Sequence, residues 1–458
     1  MSEKSIPSSD WDPYKLHYDY VQEPPRTILT SIKHLGPGLI ITANIVGVGE
    51  LIATPTLGAQ VGFAALWLII VSCLVKVIIQ GELGRYTIST GETTMKALNK
   101  VPGPKLLVAW PIWCWLLMIT LVFLQIGAMI GGISQVLQHL VPKVNTTIWS
   151  VIITLFGMSI LIRGRYKFIV RSLTFMVAVF SIFTLFCAVM IKWTPYSITS
   201  SDIIEGFKFH IPKGGLATSM AVFGIVGVGA TELVMYPYWC LEKGYARFTG
   251  AVEESRSWVN RARGWIRVMH IDILFSMAIY TIATIAFFIL GASVLYQMGV
   301  VPKGFEMIKI LSNMYTSTLG VWAFIIFLGG AFFVLFSTFI SAVATHSRTF
   351  TDLFEIVGWI KIKSYKERMK YVGRLCIIIS IICFTQYSLI GEPVLMIIIG
   401  GTAQAIMLPV IAFSTIYLRY KYTNKNILPP KITDILLWIC STIILCFAVY
   451  NIFQRIIG

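Results

Sequence analysis

A chain of 458 residues in which 56% are apolar and 13% charged, with a mean hydropathy of +0.78, cannot clothe itself in a water-facing surface of ordinary polarity. Its net charge of +16 is divided among several segments and forms no single basic face, which argues against nucleic acid as a partner. Lipid is the expected solvent, and backbone polar groups in lipid must be satisfied within helices, each needing about 20 apolar residues to cross.

Residues 1–35 are polar, with Asp10, Asp12, Glu23 and the Pro24-Pro25 pair. They read as a cytoplasmic tail and not as a cleavable signal. Apolar segments follow at 36–59, 63–80, 106–138, 148–162, 168–192, 216–241, 269–297, 318–345, 371–390, 393–419 and 434–453, which predicts eleven spans. The fourth is short and the third long enough to tilt or project. With the N-terminus inside, and with the span-end residues Arg171, Lys192, Arg374 and Arg419 counted with their adjoining loops, the cytoplasmic tail and loops hold 29 of the 37 lysines and arginines, the external segments 7, and Lys76 lies within a span. That bias favours a multi-pass protein of the cell membrane with a cytoplasmic N-terminus. The 241–267 loop, with Glu253, Glu254, Arg256, Trp258, Arg261 and Arg263, reads as a solvated intracellular loop helix in the first place, with an amphipathic helix on the inner membrane surface or a partner-docking site as the alternatives.

The eight cysteines lie in apolar segments without a Cys-x-x-Cys pair and read as core-filling thiols. His139, His210, His270 and His346 fall near predicted helix ends, so no fixed zinc site or other bound cofactor is expected. Nucleophile-elbow, phosphate-loop and His-Glu-x-x-His motifs are absent, and an enzyme is not expected.

An internal repeat carries the most information. Ile45-Val46-Gly47-Val48-Gly49 precedes Glu50 in the first span, and Ile225-Val226-Gly227-Val228-Gly229, then Ala230-Thr231, precedes Glu232 in the sixth. Because five spans separate the copies, their helices run in opposite directions. This is the signature of an inverted repeat, 36–192 and 216–419, with 434–453 as an additional helix. Paired glycines weaken a helix at mid-span, and Pro55 and Pro237 each remove a backbone donor further along. Both helices are therefore expected to be discontinuous, with freed backbone groups lining a cavity. A carboxylate at membrane depth costs at least about 2.5 kcal/mol without a partner, so Glu50 and Glu232 are expected to approach each other and share an ion or proton. Gln125 and Gln404 are expected to bond neighbouring backbone, and Ser337, Thr338 and Ser341 their own helix. Gly400-Gly401-Thr402 is expected to loosen the tenth helix beside Gln404.

These segments resemble the natural-resistance-associated macrophage protein (Nramp) family of divalent-metal transporters, which have the leucine-transporter-type fold. Gly36-Pro37-Gly38 and Gln60-Val61-Gly62-Phe63 resemble the two ends of that family's first helix. Gly229-Ala230-Thr231 resembles the approach to its sixth-helix break, and Arg267-Val268-Met269-His270-Ile271-Asp272 its entry to the seventh. The family's metal-binding Asp-Pro-Gly-Asn aligns with Gly47, Val48, Gly49 and Glu50, so the aspartate is replaced and an acid stands where the asparagine was. Leu233 or Met235 stands against the family's methionine, Glu232 has no acidic counterpart there, and no Asp or Glu occurs between Glu92 and Asp202.

The resemblance implies an all-α membrane transporter with five plus five helices and an eleventh, whose substrate is a divalent metal. The candidate binding residues are Glu50, Glu232, Gly47, Gly49, Gly229, Thr231, Met235 and Gln404, with Glu50 and Glu232 as the metal ligands. An oxygen-rich site without histidine suits Mg²⁺ or Mn²⁺ better than Zn²⁺. A transporter of an organic cation or amino-acid-like solute is the second expectation, with Tyr236, Tyr238 and Trp239 available for cation–π contact. With no acids in the third to fifth helices, protons are expected to compete with substrate without obligatory cotransport.

Overall fold

The computed structural model describes residues 12–16, 20–38, 42, 45–162 and 166–457. The first expected span is described mainly over its second half, where a π turn, Gly49–Ala53, runs directly into the helix Thr54–Val61; together these are α1. Residues 39–41, 43 and 44 of that span lie outside the described residues, as do 1–11 of the tail. The remaining spans are α2 (Leu66–Thr90), α3 (Trp110–Leu140), α4 (Thr146–Ile162) and α5 (Tyr166–Met190). Next come α6 in two halves, α6a (Leu216–Ile225) and α6b (Ala230–Lys243), then α7 (Arg256–Leu290) and α8 (Ala323–Val357). The last three are α9 (Tyr365–Ile390), α10 (Pro393–Tyr422) and α11 (Lys431–Ile457). One two-residue hairpin, Lys105–Leu106 with Val108–Ala109, turns at Leu107 ahead of α3.

Every expected segment corresponds to a helix, but several run well past the apolar stretch that predicts them. α2 continues to Thr90 because Glu82 is paired with both Arg85, at 3.2 Å, and Arg419 of α10, at 2.7 Å. α8 continues to Val357, carrying Arg348 onto Glu242 of α6b at 2.7 Å and Asp352 to within 3.5 Å of Arg368 of α9. Charged residues paired with acids or bases of other helices extend these helices beyond their hydrophobic cores, since breaking such a buried pair would strand a charge. The 241–267 loop departs from expectation for a related reason. Residues from Arg256 onward are the first turns of α7, and Trp258 is fully buried with its Nε1 donating to Gly250 O at 3.3 Å. It anchors a helix end instead of meeting a membrane surface.

Close backbone approach sets the framework around the two irregular helices. A Cβ on Gly58 of α1 would lie 2.7 Å from Ala292 N, and one on Gly291 2.5 Å from Pro55 Cα, so α1 and the end of α7 touch backbone to backbone. A Cβ on Gly224 of α6a would lie 2.1 Å from Gly401 O of α10. Gly400 and Gly401 therefore do not loosen α10, which is helical through them; Gly401 admits α6a to its surface and Gly400 admits α3, the usual role of small residues between membrane helices. α10 also packs along α3, which completes the wall behind the site.

Two segments matched on sequence meet at the start of the first expected span. The Asp272 carboxylate of α7 accepts hydrogen bonds from Gly36 N at 3.1 Å and Gly38 N at 2.5 Å, and from Tyr236 Oη at 3.2 Å. A side chain at Gly38 would collide with Ser276 Oγ and Asp272 O. At the same end of the bundle, Tyr14 of the N-terminal segment donates to Glu242 at 2.9 Å and stacks under Arg368 at 4.5 Å. Trp265 Nε1 of α7 donates to Gln22 O at 3.0 Å.

Candidate ion-binding site

α6 breaks where its glycines predict. α6a ends as Val226 turns extended (φ −74°, ψ 140°), Gly227 takes φ +66°, and Gly229 is extended (φ −72°, ψ 176°) before α6b begins. The left-handed residue is one that only glycine adopts readily, and a Cβ there would lie 2.9 Å from Cys73 Cα. Glu232 lies in the first turn of α6b, where unpaired amides and the helix dipole favour a carboxylate. Gly229 has a steric duty besides, because a Cβ would lie 2.6 Å from Glu232 Oε2 and 2.8 Å from Gln404 Oε1.

A relay of polar groups joins this turn to the wall. Gln404 Oε1 of α10 accepts from Thr231 N at 3.2 Å, and Gln404 Nε2 donates to Gln125 Oε1 of α3 at 2.9 Å. Thr231 Oγ1 lies 2.8 Å from Glu232 Oε2 and 3.0 Å from Gln404 Oε1, so its single proton serves one acceptor or the other. Gln404 thus bonds neighbouring backbone, as expected, through Thr231 N, while Gln125 bonds the Gln404 side chain: the glycine-lined contact of α6a on α10 brings Gln404 to the end of the break. Thr338 does bond its own helix, donating to Val334 O at 2.9 Å.

α1 is irregular without being open. Gly47 N bonds back to Ile45 O at 2.6 Å, Leu51 N reaches Gly47 O at 2.9 Å, and Thr54 N reaches Gly49 O across the π turn. The expected gap is replaced by a wide turn that keeps its own hydrogen bonds. The Glu50 carboxylate, fully buried, accepts from Thr284 Oγ1 of α7 at 3.1 Å and from Gly47 N at 3.4 Å.

Gly49, Thr231, Glu232, Met235 and Gln404 line one cavity between α1, α3, α6, α8 and α10, together with Gln125. Glu50, Gly47 and Gly229 are outside its lining, with Glu50 turned toward α7. Of the two residues aligned with the family's methionine, Met235 is the one facing the cavity. α8 contributes Thr338, Ala342, Thr345 and His346. His346 is not near a helix end, as the sequence suggests, because α8 extends eleven residues beyond it to Val357. Its Nδ1 and the Thr345 hydroxyl are buried and have no hydrogen-bond partner among the described residues. Thr338, Ala342 and Thr345 share a helical face, and that spacing of small and polar residues was the available signal for this wall.

The aromatic residues after the break do not face the cavity. Tyr236 donates to Asp272, Tyr238 Oη donates to Asp352 at 2.8 Å, and Arg348 lies 5.3 Å above Trp239. They tie α6b to α7 and α8. No cluster of three or more His, Cys, Asp or Glu occurs among the described residues, so an ion here would depend heavily on amide, hydroxyl and water oxygens.

Comparison with known proteins gives the same architecture. In solved structures, a manganese transporter from Eremococcus coleocola in complex with an aromatic bis-isothiourea substituted compound is 15% identical, with a TM-score of 0.66 over 96% of this chain and 91% of that one. Mhp1, a nucleobase-cation-symport-1 family transporter, in a closed conformation with bromovinylhydantoin bound, is 12% identical with a TM-score of 0.56, over 98% of this chain and 95% of that one. MhsT in complex with L-phenylalanine is 13% identical with a TM-score of 0.53, over 94% of this chain and 99% of that one. These likenesses establish the leucine-transporter-type fold. The family model described as natural resistance-associated macrophage protein-like matches residues 38–454, and the chain belongs to that family of membrane transporters.

Proposed function

We propose that the chain carries a divalent cation across the membrane through the cavity at the α6 break, and that a hard ion of the Mg²⁺ or Mn²⁺ type is its substrate. The observation that carries this reading is Glu232, the one acid among the lining residues, set at a helix start and joined through Thr231 to the Gln404 and Gln125 amides. Carboxylate, hydroxyl and amide oxygens are ligands that Mg²⁺ and Mn²⁺ accept. Mg²⁺ sheds water reluctantly, and the unpartnered Thr345 and His346 atoms can hold waters that the ion keeps. Glu232 takes the ion directly in this reading, and Glu50, bonded to Thr284 behind the wall, contributes its charge through space. Family membership and the manganese transporter named above support the metal in preference to an organic solute. An aromatic cage for an amine would need Tyr236, Tyr238 and Trp239, which are engaged elsewhere.

We also propose the division into a first repeat at 36–192, a second at 216–419 and an added helix at 434–453, in a cell membrane with the N-terminus cytoplasmic. The lysine and arginine bias and the pairing of α1 with α6 support this arrangement.

Uptake by reconstituted protein, measured against a panel of divalent ions, amines and amino acids, tests the function. Mg²⁺ or Mn²⁺ should enter, and Glu232→Gln should raise KM about 30-fold or more, the loss expected when a charged ligand worth about 2 kcal/mol becomes a neutral one. Glu50→Gln should impair uptake less. Uptake of an amine or amino acid with no divalent transport would overturn the reading.

A further inference from the structure

Lys76 is a charged residue in the middle of α2 whose burial the ion site does not explain. It is fully buried, 0% exposed, and stands eleven residues into a 25-residue membrane helix. An ammonium at this depth is costly and is retained only where it is paired. Its partners are unusual, because they are not acids. Nζ donates to Phe223 O at 2.7 Å and to Val226 O at 2.6 Å, and lies 5.2 Å from the centre of the Phe223 ring.

Those carbonyls belong to the end of α6a, where the chain leaves the helix at the break. The last turn of any helix has carbonyls without intrahelical partners, and its dipole presents partial negative charge there. In broken-helix transporters, such half-helix C-termini and unwound carbonyls are what coordinate small cations. Here a side chain takes that place. The break is thus complemented from both sides: the ammonium of Lys76 at the negative end of α6a, and the carboxylate of Glu232 at the positive end of α6b. The same ammonium is within electrostatic reach of both Glu232 and Glu50.

We propose that Lys76 is a tethered cation that permanently fills the carbonyl site at the end of α6a, withholding those oxygens from dissolved ions and weakening the hold of the neighbouring cavity on its divalent substrate. The ion is consequently held without the α6a carbonyls, from the side of α6b, α10, α3 and α8. The lysine's positive charge opposes the divalent charge and so favours release. The second part of this inference rests on the divalent-cation reading; the first stands without it.

Two variants of the full chain separate these roles. Lys76→Ala removes the ammonium and opens the carbonyl site. In detergent solution its melting temperature should rise when choline chloride is replaced by sodium or methylammonium chloride at equal ionic strength, while the wild type should show no such difference. Lys76→Gln keeps donors for the carbonyls and removes the charge, so its KM for Mn²⁺ uptake in proteoliposomes should fall about five-fold. A Lys76→Ala protein whose melting ignores the choice of monovalent cation would overturn the tethered-cation assignment. If that variant does not fold, Lys76→Gln decides alone: a wild-type KM would reduce Lys76 to a structural prop. Absence of divalent uptake by the wild type would instead sink the substrate reading, and the melting comparison would still judge Lys76.

Discussion

Glu232 gains its place from three consecutive features of the chain: a glycine that ends the break, a threonine hydroxyl, and a helix start that favours negative charge. The Gln404 amide holds this turn to α10 by accepting from Thr231 N, and in turn donates to Gln125. Gln404→Leu should therefore leave a buried amide and a buried carbonyl oxygen without partners, lowering stability by about 1–3 kcal/mol and raising KM; thermal melting and initial uptake rates read these separately. The role of Glu232 also fixes the sign of the pH response. With the ion on Glu232 as proposed, protons would compete with it for the same carboxylate, so lowering pH should raise KM while leaving the maximal rate at saturating ion unchanged. A fall in maximal rate at constant KM would place the titrating group outside the ion site. The repeat made Glu232 legible from sequence, but not the direction of Glu50. The two glutamates follow identical pentapeptides, yet one motif unwinds into an extended segment and the other closes as a π turn that swings its carboxylate onto Thr284.

At the scale of elements, apolar runs predicted the order of the helices because lipid forces every spanning segment to satisfy its own backbone. The ends were not legible from hydropathy, since Glu82, Arg348, Asp352 and Arg419 look like loop residues until their partners on other helices are known. The site's far wall was hidden for a similar reason: Thr345 and His346 fell at the predicted edge of a helix that in fact continues to Val357. The break in α6 is the best-predicted irregular element, and its geometry makes a direct claim. Gly227→Ala places a side chain in a left-handed conformation 2.9 Å from Cys73 Cα, so it should cost about 1–3 kcal/mol of stability, visible as a lower melting temperature with reduced uptake. A variant that melts and transports as the wild type does would mean that Gly227 is not held in that conformation.

For the whole molecule, the absence of acids from α3, α4 and α5 bears on how transport is driven. If Glu232 holds the ion as proposed, it cannot also serve an independent proton path. Uptake and internal pH recorded together in proteoliposomes should show cation entry down its own gradient with no fixed proton ratio, and uphill uptake driven by a pH gradient alone would reveal a coupling route elsewhere. A positive-inside bias also predicts that a cysteine introduced at an exposed position near the N-terminus is labelled from the cytoplasmic side. All of this behaviour depends on the cavity at the α6 break binding a divalent cation through Glu232, as proposed. Calorimetric titration of Mn²⁺ into the purified wild type and Glu232→Gln proteins tests it most directly. Binding by the wild type should be saturable, and it should be lost, or weakened by about 30-fold or more, in a variant that still melts cooperatively; equal affinity in the two proteins would contradict an ion held by Glu232.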